Sequence, residues 1–167
     1  MTSTTELIKE LRGRTSAGVM DCKRALDESN GNVDEAEELL KEQGIASAAK
    51  KAGRDTDQGL IETYIHSGGR IGAMVEVNCE TDFVARTQEF SDLAHDIAMQ
   101  VAAMNPLTVE EKKPDTANNE EVENSSLLQQ PFIKDPSKNI QELINETVGK
   151  LGENIRVRRF QRFSLGE

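Results

Sequence analysis

A carboxylate and an aromatic ring stand side by side in this 167-residue chain, at Asp82 and Phe83. They fall where the periodicity changes. Upstream, Ile71, Ala73, Val75 and Val77 alternate with Gly72, Met74, Glu76 and Asn78, the pattern of a half-buried strand. Thr81 then supplies an N-cap, so that Asp82, Phe83 and Val84 occupy a first helical turn. At such a corner Phe83 can pack inward while Asp82 complements the helix dipole. The two can equally be offered to another molecule, because element ends held by a rigid sheet are where working side chains are presented. Residue types alone leave both uses open.

Catalytic chemistry has little else to stand on. His66 and His95 are far apart in sequence, one at a strand end and one on a wet helix face, so no ligand-spaced cluster for a metal forms. His-Glu-x-x-His, Walker-loop and Gly-x-Ser-x-Gly patterns are absent from the sequence. Cys79 lies among Glu80 and Asp82, and negative neighbours raise a thiol pKa, which disfavours a nucleophile. The expectation is a protein that is not an enzyme and holds no cofactor or metal.

Composition narrows the partners. A net charge of −10 argues against a binder of the phosphate backbone, which needs clustered Lys and Arg. The basic groups Arg156, Arg158, Arg159 and Arg162 are confined to the last stretch, beside an acidic body and without an interleaved aromatic platform. Two cysteines are too few for a disulfide framework, and the sequence has neither a signal-peptide pattern nor an apolar run of membrane length. The expected address is the cytoplasm, with neither nucleic acid nor membrane as partner.

The elements that hold the corner divide into a head, a linker and a core. Over residues 1–45, Leu7, Ile8 and Leu11, then Val19, Cys22, Ala25 and Leu26, then Val33, Ala36, Leu39 and Leu40 give three helical stripes. Asn30-Gly31 closes the second helix, Asn32 with Glu35 caps the third, and Gly44 is read as its end. A three-helix bundle of ubiquitin-associated type follows, too small to be more than marginal alone. Val19 and Met20 are consecutive, about 100° apart on a helix, so one of them is expected at the surface. Residues 46–58 change from alanines and lysines to a polar, turn-prone run, a linker that would let head and core grasp two surfaces at once.

Residues 59–167 read as an α+β core. Gly59 to His66, the turn Ser67-Gly68-Gly69-Arg70, and Ile71 to Asn78 form a hairpin signature. Phe90, Leu93, Ala94, Ile97, Ala98 and Val101 make an amphipathic helix with Asp92, His95, Asp96 and Gln100 on the wet side. Ile140, Leu143, Ile144, Val148 and Leu151 make a second, and Ile155 and Val157 begin a last strand. The sum is a small antiparallel sheet of about three strands packed on helices, one face uncovered. Residues 105–124 are acidic and Pro-interrupted, and are expected to form a mobile loop.

Three stretches together resemble one family: Leu11 to Leu26 with its Arg-Gly-Arg-Thr-Ser-Ala-Gly-Val-Met-Asp-Cys-Lys core, Thr81-Asp82-Phe83-Val84, and Val148 to Phe160 with Gly152-Glu153-Asn154-Ile155. Their order, across roughly residues 5–104 and 125–167, is similar to bacterial and organellar elongation factor Ts, the nucleotide-exchange factors of the translation GTPase elongation factor Tu. The resemblance implies that the head grips the GTPase through Arg12, Val19 and Met20, with Val19 standing where family members often have Met. It implies that Thr81, Asp82, Phe83 and Val84 enter near the nucleotide site and dislodge Mg²⁺, so that elongation factor Tu is the expected partner in both its GDP-bound and empty states. Longer family members carry a second core lobe and a projecting helical hairpin for which this chain has no room, and a homodimer is the expected replacement. The competing expectation is a plain interaction and dimerisation module with a peptide-binding head, and it requires Phe83 to be buried inside its own chain.

Overall fold

The computed structural model describes residues 3–15, 17–110 and 126–167. Three helices come first, α1 (Thr4–Thr15), α2 (Val19–Glu28) and α3 (Val33–Lys51). Their shared core is Leu11, Cys22, Ala25, Leu26 and Ala36, with Leu7, Ile8, Val33, Leu39 and Leu40 packed around it. Asn32 caps α3 by accepting from the amides of Asp34 (3.1 Å) and Glu35 (3.3 Å).

The third helix does not stop at Gly44; it runs on to Lys51. Glycine serves there for approach rather than termination. A Cβ on Gly44 would meet the carbonyl oxygen of Asn145 at 3.6 Å, and one on Gly149 would meet the Gly44 Cα at 3.4 Å. Two helices lying this close need small residues at the crossing, and α3 is thereby laid against a core helix as well as against the head. The Lys41 ammonium adds an ion pair to Glu142 at 3.1 Å across the same crossing.

The core opens with β1 (Gln58–Ile65) and β2 (Ile71–Cys79), an antiparallel hairpin whose turn carries Gly68 and Gly69 at φ +90° and +68°. A single turn, α4 (Asp82–Ala85), leads into α5 (Gln88–Met104). Beyond the undescribed segment come a short 3₁₀ turn (Leu127–Gln129), a small hairpin of β3 (Pro131–Phe132) and β4 (Asp135–Asn139), then α6 (Ile140–Leu151) and β5 (Ile155–Ser164). The sheet order is β1-β2-β5, all antiparallel, with a bulge on β5 opposite Glu76 and Val77. The expected α+β architecture is the observed one.

One face of the sheet carries Ala73, Val75, Val77 and Val157, and these pack with Phe90, Leu93, Ile97 and Val101 of α5 and Ile140, Ile144 and Val148 of α6. Among the described residues nothing covers the opposite face, whose cross-strand rows are Ile61–Glu76–Arg159, Thr63–Met74–Gln161 and Ile65–Gly72–Phe163. Ile61, Ile65, Met74 and Phe163 on it are all exposed.

Two further expectations change. Gln100, read as solvent-facing, is fully buried. Its amide donates to Gln130 Oε1 (3.2 Å) and the Pro131 carbonyl (3.1 Å) and accepts from the Ile133 amide (3.0 Å). It satisfies the backbone of a hairpin that sequence periodicity did not announce, and buried backbone groups need such partners. Within the stretch expected to be mobile, Pro106 is buried and Thr108 bridges to Ser126, so the start of the excursion is anchored; residues 111–124 lie outside the described residues.

Candidate functional site

Strand β2 delivers the corner. Val75, Val77 and Cys79 point into the core and fix the strand's end, and the Cys79 thiol donates to the Thr81 carbonyl at 3.1 Å. Burial, reinforced by the nearby charge of Glu153, pushes that thiol up to about 11, so it stays protonated and is no nucleophile. Thr81 turns the chain: its hydroxyl accepts from the Val84 amide (3.4 Å) in the N-cap position expected of it.

On the turn that follows, neighbouring side chains diverge. Val84 and Ala85 pack against the main core, while Phe83, one residue earlier, is 80% exposed. Neighbours on a helix are separated by about 100°, so seating Val84 drives Phe83 outward. An exposed phenyl ring forgoes a contribution of about 2–3 kcal/mol that burial would bring. Asp82 is half-exposed and pairs with Arg86 one turn on, Oδ2 to Nη2 at 2.8 Å.

A second turn, between α6 and β5, braces the corner, and the sequence reading did not assign it a role. The Glu153 carboxylate accepts both the Thr81 amide (Oε2, 2.9 Å) and the Thr81 hydroxyl (Oε1, 2.6 Å). In return Glu80 accepts the Asn154 amide at 2.6 Å. The Asn154 side-chain amide donates to the Arg54 carbonyl at 2.8 Å, and the Arg54 guanidinium stands 3.4 Å from Glu80. The linker, the corner and the Gly-Glu-Asn turn are thus one hydrogen-bonded unit. These pairings span 72 and 74 residues of sequence, so no local spacing announces them.

The head presents a second exposed apolar site. Met20 is 70% exposed and Val19 48%. The expectation of one surface residue is exceeded because Val19 is the first residue of α2 and overhangs the end of the bundle, while Cys22, Ala25 and Leu26 fill its centre. Arg12 is exposed, its Nε donating to the Ala17 carbonyl (3.3 Å) across the α1–α2 turn. Lys23, Arg24, Asp27 and Glu28 surround Met20 with charge. Gly18, without a side-chain cap of its own, opens α2.

The four terminal arginines are engaged within the fold. Arg159 donates to Glu76 at 2.7 Å with Arg158 beside it at 3.9 Å, Arg162 donates to the Ala102 carbonyl (3.0 Å), and Arg156 bonds the Ala52 carbonyl. Among the described residues no cluster of three or more His, Cys, Asp or Glu could hold a metal ion, and no helix is long and apolar enough to cross a membrane.

Comparison of the sequence with known proteins gives the family. The family model "Elongation factor TS" matches residues 23–123. Elongation factor Ts of Syntrophomonas wolfei is 48% identical over 98% of this chain and 91% of its own length. That of Carboxydothermus hydrogenoformans is 47% identical over 98% and 89%. The Thermosynechococcus vestitus protein of the same name is 47% identical over 97% of this chain, which spans 65% of that longer relative. The first two alignments run over 194 positions, more than the 167 residues available, so the relatives carry residues that this chain skips. On identity, coverage and the motifs alike, the chain belongs to the elongation factor Ts family of translation elongation factors.

Proposed function

We propose that the protein is a guanine-nucleotide exchange factor for elongation factor Tu and acts without a covalent reaction centre. The observation that carries the reading is Phe83: a large apolar ring held away from its own fold on a braced corner, beside a carboxylate. Family membership supplies the partner.

Exchange requires only differential binding. A GTPase holds GDP through phosphate contacts and a Mg²⁺ ion of demanding octahedral geometry. A ligand that prefers the empty state lowers GDP affinity by its own preference, because coupling between two ligands is reciprocal. A thousandfold effect needs about 4 kcal/mol of such preference. Burying the Phe83 ring between elements of the GTPase would supply about 2–3 kcal/mol of it. Asp82, released from Arg86, would compete for the surroundings of the Mg²⁺ ion, with Thr81 and Val84 setting the turn. Arg12, Val19 and Met20 would dock the head on the GTPase domain and raise the local concentration of the corner.

The exposed apolar side chains of the sheet face suit a homodimer. Its apolar rows, with Glu76 flanked by Arg158 and Arg159, can meet a second copy across a two-fold axis, since each copy brings both charge signs. Sedimentation at working concentration reads this directly, and a monomer would remove it. The exchange reading is tested by following a fluorescent GDP analogue leaving elongation factor Tu with excess unlabelled nucleotide. Added protein should accelerate release, and an unchanged rate would overturn the assignment.

A further inference from the structure

A ring on a four-residue helix cannot hold its own position, because one turn closes too few hydrogen bonds to offset the ordering of its backbone. Seating Val84 sets the direction of Phe83, and something else must hold the turn itself. Among the described residues, Glu153 is the side chain bonded to both the amide and the hydroxyl of Thr81, the residue that caps the turn. Its carboxylate takes the Thr81 amide and hydroxyl on separate oxygens, a two-point grip that fixes the residue in rotation as well as in place. The Thr81 hydroxyl in turn accepts from the Val84 amide, so the grip passes directly into the turn that carries Phe83. Glu80 pulls the other way on Asn154, and the two turns are clasped crosswise.

Resting on the exchange reading above, we infer that Glu153 is a positioning residue for exchange: it preorganises the Phe83 corner so that the ring meets the GTPase without first being ordered. Preorganisation removes an ordering cost from the step in which the ring inserts, and leaves the docking of the head untouched. Glu153 does not contact the partner in this account; it acts through Thr81.

The full-length protein carries the test. In Glu153→Ala, the plateau rate of GDP release from elongation factor Tu should fall about tenfold, while the half-saturating concentration changes less than about twofold, since docking by the head persists. Glu153→Gln should recover most of the plateau, because its carbonyl can still accept the Thr81 amide and its NH₂ can donate to the hydroxyl. Glu153→Asp, one methylene short, should not. In a Phe83→Ala background the Glu153→Ala change should have no further effect on the plateau, as expected when one residue works through the other. A plateau unchanged in Glu153→Ala, or effects that add in the double variant, would overturn the inference.

Amide hydrogen exchange of the free protein separates this failure from failure of the exchange reading. Glu153→Ala should speed exchange at residues 81–85 at least tenfold with the strands unaffected, whatever the partner does. Unchanged protection there defeats the clasp even if the wild-type protein stimulates GDP release. Should Glu153→Ala not fold, Glu153→Asp takes its place in every arm.

Discussion

Head and core both expose apolar side chains, yet they support them differently. In the head, Met20 and Val19 sit at the start of α2 on a bundle whose centre is five small or medium residues, and Met20 is ringed by flexible charged chains. In the core, Phe83 sits on a turn clasped by Glu153 and Glu80 above a much larger apolar centre. The head site is adaptable, with an unbranched side chain and loose surroundings, as suits first contact with a surface. The core site is clasped by hydrogen bonds and exposes a ring with few rotamers, as the proposed insertion between elements of a partner would need. Docking and exchange would then be separable properties of separate regions.

The sharpest way to break that division is one chemical change made at two phenylalanines seven residues apart. Phe90 is fully buried and Phe83 is 80% exposed. Phe90→Ala should cost about 3–5 kcal/mol of stability, by lost transfer and a cavity. Phe83→Ala should cost less than about 0.5 kcal/mol and yet slow stimulated GDP release at least tenfold. Thermal melts and the nucleotide-release assay read the two effects. If Phe83→Ala melts the fold, or leaves release unchanged, the ring is a structural residue and the wedge fails.

Next in size is the head. Met20→Ala should raise the concentration of protein needed for half-maximal exchange by about five- to tenfold, since a buried Met contributes about 1.5–3 kcal/mol when fully covered and less at an adaptable edge. The plateau rate should hold. A fall in plateau with unchanged half-saturation would erase the contrast between the regions.

These sites were unequally legible. The strand period before Asn78, the cap at Thr81 and the stripe of α5 are local patterns, and each element stands where its spacing puts it. So does the α6 start, where Asn139 and Glu142 form a capping box. Gly44 misled because a glycine that ends a helix and one that admits a neighbouring helix look alike in sequence; only Gly149 across the crossing distinguishes them. Gln100 misled for the same reason, its partners lying 30 or more residues away. The direction of Phe83 depends on Val84 taking the inward position, and the Glu153 grip depends on a contact no window along the chain could contain.

A smaller effect concerns Asp82. Its ion pair with Arg86 is exposed and worth about 0.2–0.5 kcal/mol, so Asp82→Ala should scarcely move the melting temperature. If the carboxylate competes for the surroundings of Mg²⁺ in the GTPase, the same change should flatten the dependence of the exchange rate on Mg²⁺ concentration. An unaltered Mg²⁺ profile would leave Asp82 as a helix-dipole partner and assign the displacement to the ring alone.

The joint between the regions offers the smallest and most specific test. The Glu142 carboxylate accepts the Asn139 amide at 3.0 Å and pairs with Lys41 of α3 at 3.1 Å. The Asn139 amide first, and Lys41 after it, hold its pKa below the ordinary 4.5. A carboxyl whose folded pKa is depressed stabilises the fold above its ordinary value and loses that stabilisation as pH falls through the folded one. Melting temperature should therefore decline as pH drops below about 4.5, and Glu142→Gln, which can still cap α6 but cannot pair with Lys41, should make the decline shallower. Because Lys41 belongs to the helix that the head shares with the core, the variant should also loosen α3 against α6, raising amide exchange in the last two turns of α3 while leaving the Phe83 corner protected. Loss of protection at residues 81–85 in Glu142→Gln would mean that head and corner are mechanically one piece, and docking and exchange could not then be tuned apart.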